Sequence, residues 1–171
     1  MSLQLFGLLV VAGLFSSTIS KSRDYMPIPE IRVVEATSSG VVTTELANSS
    51  EVPIRIWRDS NSWGAGRWRV SLIKKGKLEL FYQNPNEDFT KNNPVFDELS
   101  PKTSRKHQLD LNGGNWCGLG RCTQYNERRT GSDRITLEPG DIIIASYDVP
   151  VSIEARNLGV WYGAVGSLFV L

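Results

Sequence analysis

Apolar residues along this chain fall in short runs rich in Val and Ile, and within most runs they alternate with polar residues at a period of two. The three-to-four spacing of an amphipathic helix is nearly absent. Ten segments fit the strand pattern: 31–37 (IRVVEAT), 41–47 (VVTTELA), 53–58 (PIRIWR), 67–75 (RWRVSLIKK), 77–83 (KLELFYQ), 105–111 (RKHQLDL), 134–137 (RITL), 141–149 (DIIIASYDV), 151–155 (VSIEA) and 160–165 (VWYGAV). Ser38-Ser39-Gly40 predicts a hairpin turn between the first two, and Gly76 a second between 67–75 and 77–83. Alternation sets Ile54 and Ile56 on one face against Arg55 and Trp57, and Trp68, Val70 and Leu72 against Arg67, Arg69 and Ser71, which assigns Trp68 to the core. The run DIIIA is apolar on both faces, the mark of a central strand. Strands at this spacing fit an antiparallel sandwich or barrel, and the expectation is an all-β, antiparallel β-sandwich with two long loops, 84–104 and 112–133.

Residues 1–20 break the pattern. The apolar run 3–15 (LQLFGLLVVAGLF) is closed by Ser16, Ser17, Thr18, Ile19 and Ser20, and small residues at Thr18 and Ser20 mark a cleavage site after Ser20. A secretory signal peptide over 1–20 is the expectation, with a buried N-terminal strand or helix as the alternative. The only positive charge ahead of the run is the amino terminus. The run is too short for a comfortable membrane span, so no membrane insertion is expected after signal removal. Residues 21–30, with Pro27 and Pro29, read as an extended leader, which leaves 31–171 for the sandwich. The expected location is secreted or periplasmic.

Two segments carry a resemblance. VVTTELANSSEVPIRIW, a strand, an Asn-Ser break and a second strand, and ITLEPGDIIIASYDV, with its turn at Leu137-Glu138-Pro139-Gly140-Asp141, resemble immunoglobulin-like sandwich domains of exported bacterial proteins. The layout is similar to that of the BsuPI-type proteinase inhibitor domain. What the resemblance implies is an immunoglobulin-like fold and, as one function, a secreted proteinase inhibitor.

Charge and cysteine content narrow the classes. A formal net charge of +1 supplies no global field for nucleic acid, so no nucleic-acid partner is expected. Cys117 and Cys122 are the two cysteines, spaced as CGLGRC, and in an exported chain they predict one disulfide closing a small loop. A zinc site needs two further ligands, and the single His107 does not provide them, so no metal is expected. GxxxxGK[ST], GxGxxG after a strand, GxSxG and the calcium-loop pattern are all missing, and no cofactor or catalytic residue is assigned. His107 reads as a solvated strand histidine.

The most distinctive stretch is 53–69 (PIRIWRDSNSWGAGRWR), with three of the five tryptophans and four arginines among turn formers. Tryptophan offers a flat apolar face and arginine a planar cation that stacks on it, so the segment is either a recognition surface or one wall of a core. Trp63, between Ser62 and Gly64, is the tryptophan expected to be exposed; Trp116 and Trp161 are open to either reading. The sequence therefore predicts an exported, non-catalytic binding domain whose contacts come from Arg58, Trp63 and Arg67 in the 58–67 loop and from Trp116 and Arg121 in the 112–133 loop. Its ligand is a protein or a carbohydrate. The alternatives are the proteinase inhibitor and a hydrolase with an unrecognised carboxylate site. Asn48-Ser49-Ser50 is also a glycosylation sequon.

Overall fold

The computed structural model describes residues 26–83, 93–114, 116–118, 121–122 and 128–171, the pair 121–122 for its backbone alone. The expected signal peptide at 1–20 and the first five residues of the leader lie outside the described residues. The chain folds as an all-β sandwich of packed antiparallel sheets. One sheet has three strands, ordered β1 (Glu30–Ala36), β2 (Val41–Asn48) and β7 (Thr103–Asp110). The other has six, ordered β11 (Gly163–Val170), β10 (Ile142–Val149), β4 (Trp68–Lys74), β5 (Lys77–Gln83), β8 (Trp116–Gly118) and β9 (Arg121–Cys122). β3 (Ile54–Trp57) and β6 (Phe96–Leu99) form a separate two-stranded ladder.

Period-two alternation decides what β4 and β10 bury. β10 buries every second residue from Ile143 to Val149, and β4 buries Trp68, Val70 and Leu72, as the sequence pattern requires. These side chains meet Ile31, Val33, Val42 and Leu46 of the three-stranded sheet in one core. β10 has a partner on each side, which confirms it as a central strand. Trp57 departs from alternation: it is buried with Ile54 and Ile56, because β3 ends there and the next loop folds Trp63 onto its ring at 6.1 Å.

Two predicted strands take other forms. Residues 134–137 keep the alternation, with Ile135 and Leu137 buried, but form no ladder. Their backbone is held by a side chain and a turn: Ile135 N donates to Asn112 Oδ1 at 2.7 Å, and Leu137 N to Ser38 O at 3.1 Å. Residues 151–155 enter a helix, α1 (Ile153–Leu158), because Ser152 caps it by accepting from Ala155 N at 3.1 Å and Gly159 closes it at φ 64°. The strand expected at 160–165 is shifted to 163–170. The two long loops also contain strands: β6 lies in the first, β8 and β9 in the second. Glu138-Pro139-Gly140-Asp141 forms the predicted turn, with Asp141 N donating to Glu138 O at 3.0 Å and Gly140 at φ 91°, a position that suits glycine.

Candidate functional site

The 58–67 loop is built around Asn61, which is buried. Its Oδ1 accepts from Trp63 N at 3.1 Å and Gly64 N at 3.0 Å, while its Nδ2 donates to Val95 O at 2.9 Å. Gly64 is needed because a Cβ there would overlap the Arg58 carbonyl. Arg67 locks the far end by donating from Nε to Trp63 O at 2.6 Å.

The opposing 112–133 loop is anchored at Asp110. Its Oδ1 accepts from Asn112 N at 3.0 Å, and Oδ2 pairs with Arg128 Nη1 at 3.0 Å. Arg129, buried beneath, donates to Trp116 O at 3.1 Å. The two loops face each other across a cleft of about 520 Å³. Asp59, Ser60, Ala65 and Gly66 line one side; Gly113, Gly114, Trp116 and Arg128 line the other. Trp68, His107, Gln108 and Asp110 complete it with Gln83, so both sheets contribute to its walls.

His107 is held rather than solvated, correcting the sequence reading. Its side chain is 11% exposed, its Nδ1 lies 3.0 Å from Asp59 Oδ2, and its ring packs on Trp68 at 4.9 Å. The contacts continue inward from Trp68 to Tyr147 at 5.0 Å and from Tyr147 to Trp161 at 6.2 Å. Burial, reinforced by the charge of Asp59, pushes the Tyr147 hydroxyl well above its ordinary range. His107 Nε2, Trp68 Nε1 and the Tyr147 hydroxyl are buried without a hydrogen-bond partner among the described residues. Nδ1 thus lies at Asp59 while Nε2 is enclosed.

Of the expected binding residues, Trp116 lines the cleft while Arg58, Trp63 and Arg67 stand outside its lining. Arg58 is exposed, its Nε and Nη2 both 2.9 Å from Asp97 Oδ1, and Arg105 Nη1 reaches Asp97 Oδ2 at 2.7 Å. Burial pushes the Asp97 carboxyl up, yet the hydrogen bonds and charges of Arg105 and Arg58 hold it below the usual carboxylate range. Trp63 is half-buried against Trp57, so the tryptophan expected to be exposed is partly covered. Arg67 is half-buried, and desolvation lowers its guanidinium pKa. The Arg121 side chain lies outside the described residues, but the β8–β9 register sets Cys117 opposite Cys122. Trp57, Trp68, Trp116 and Trp161 are each at most 4% exposed, so most of the tryptophans belong to the core. Asn48 is buried and donates Nδ2 to Val52 O and Leu99 O at 2.8 and 2.9 Å, which leaves the sequon inaccessible in the folded chain.

Sequence reasoning did not single out Asp59, Gln108, Asp110 or Arg128. One signal was available in the 105–111 run, where His107, Leu109 and Leu111 share a face and point the histidine inward. Among the described residues no cluster of His, Cys, Asp and Glu is arranged to hold a metal ion, and no helix is long and apolar enough to cross a membrane. Comparison with protein-family models, curated proteins and solved structures found no match to this chain.

Proposed function

We propose that the chain is an exported, non-catalytic binding domain that takes a carbohydrate segment in the cleft between the 58–67 and 112–133 loops. The observation that carries this reading is the polar lining: carboxylates, amides and a hydroxyl from Asp59, Asp110, Gln83, Gln108 and Ser60 converge on one cleft, together with the little surface that the buried Trp68 and Trp116 indoles expose. Sugar hydroxyls need such mixed donors and acceptors, and sugar C–H faces need apolar surface beside them. Asp59 is engaged by His107, and Asp110 by Arg128 and the Asn112 amide, so both carboxylates are held within the site.

Export rests on the 3–15 apolar run. It accords with a Cys117–Cys122 disulfide, which the antiparallel register favours: facing Cα atoms there are about 4.5–5.5 Å apart, within the span a disulfide needs. Non-reducing peptide mapping of secreted protein tests both, and a free-thiol pair or an intact Met1 terminus contradicts them. For the ligand, the first experiment is an oligosaccharide array probed with the purified protein beside a protease panel. Glycan binding without inhibition is expected, and protease inhibition without glycan binding overturns the reading.

A further inference from the structure

The outer face of the six-stranded sheet is apolar across four strands. Residues paired across an antiparallel ladder share a face, so the register lays this surface out row by row. The first row is Val170, Ile142, Ile73 and Leu78; the second is Leu168, Ile144, Ser71 and Leu80. A third runs Gly166, Ser146, Arg69 and Tyr82. Leu168 is 62% exposed, Leu78 60%, Leu80 58%, Val170 57% and Tyr82 50%, while the three isoleucines between them are half-buried. Isolated exposed leucines need no explanation, but two contiguous rows of apolar side chains broken only by Ser71 do.

We infer that this face is the interface of a homodimer in which two copies stack sheet on sheet. Self-complementarity points to a second copy. A two-fold axis parallel to the strands, between β10 and β4, lays β11 of one copy over β5 of the other and β10 over β4. Val170 then covers Leu78 and Leu168 covers Leu80. Tyr82, the one ring on the face, covers Gly166, its one position without a side chain. Sheets packed this way sit about 10 Å apart and interdigitate as in the interior of a sandwich.

Four strands about 4.8 Å apart and three rows about 6.8 Å apart give a planar footprint of about 400 Å² per copy. Two copies remove about 800 Å² before side-chain relief is counted, near the roughly 1,000 Å² that specific interfaces clear. The rim argues against an anionic membrane as the occupant, because Arg69 is paired with Asp148, and Lys74 and Lys75 with Glu138.

Sedimentation velocity over a micromolar concentration series tests the dimer, with Leu168→Lys and Leu80→Glu as interface variants and far-UV circular dichroism as the folding control. Each variant alone weakens the dimer by about 100-fold or more, because each substitution occurs twice in the interface. Mixing the two folded variants restores a heterodimer, since the introduced lysine then faces the introduced glutamate across one half while the Leu168–Leu80 contact survives in the other. A wild-type monomer throughout the series overturns the inference. So does a dimer that both variants leave intact, failure of the mixture to associate, or a monomer that instead floats with phosphatidylcholine vesicles.

Discussion

Trp68 joins the core to the cleft: its ring packs between His107 and Tyr147, and it also lines the cleft. Trp68→Ala removes a fully buried indole and is expected to cost about 3–5 kcal/mol by chemical denaturation. Trp63→Ala removes a half-buried ring with one aromatic neighbour and is expected to cost about 1–2 kcal/mol. The same denaturation series checks the order. Asp97 provides a pH-dependent counterpart. Its carboxyl titrates lower in the folded chain than the unfolded value of about 3.9, so its pairs stabilise the fold above that pH and cease to do so as pH falls through the folded value. Asp97→Asn should therefore lower the melting temperature at pH 7, with the gap to wild type narrowing below pH 4; a gap independent of pH contradicts the role of the Arg58–Asp97–Arg105 network.

Among the elements, the segment 134–137 shows where a strand pattern and a strand part company. Its buried face is strand-like, but Asn112 replaces a neighbouring ladder, donating to Ser39 O and Ile135 O and accepting from Ile135 N, each at 2.7 Å. Asn112→Ala strands several buried backbone groups and is expected to cost on the order of 3 kcal/mol, with early loss of amide-exchange protection at Ile135. A cost below about 1 kcal/mol would show that water substitutes for the amide. β4 and β10 bury every second residue, so burial on one face writes a period of two into β4, while β5 was legible through the alternation of Leu78, Leu80 and Tyr82, which lies on its exposed face. β6, β8 and β9 were not, because FDEL, WCG and RC hold no alternating apolar pair, unlike the equally short β3 with Ile54 and Ile56. α1 was missed for a different reason: its apolar and polar residues fit a short strand, and the Ser152 and Gly159 caps carry the helical signal.

At the scale of the whole molecule, the fold brings together two loops that the sequence had already marked, through residues it had not. The 53–69 stretch looked like a recognition surface because of its tryptophans and arginines, yet it contributes mostly core and ion pairs. Within it, Asp59, Ser60, Ala65, Gly66 and Trp68 line the cleft, whereas Arg58, Trp63 and Arg67 do not. Linear spacing shows which residues share a strand face but not which loops meet at one end of a sandwich, so Gln108 and Asp110 of β7 could not be placed in one cleft with Trp116 beforehand. The most direct test of the cleft is isothermal titration of the best-bound oligosaccharide from the array into wild type, Gln108→Ala and Trp63→Ala. Gln108 is an exposed cleft residue, and Trp63 lies outside the lining. The predicted result is a loss of about tenfold or more in affinity for Gln108→Ala, with Trp63→Ala binding as wild type. An unchanged affinity for Gln108→Ala with a loss at Trp63→Ala would contradict the account.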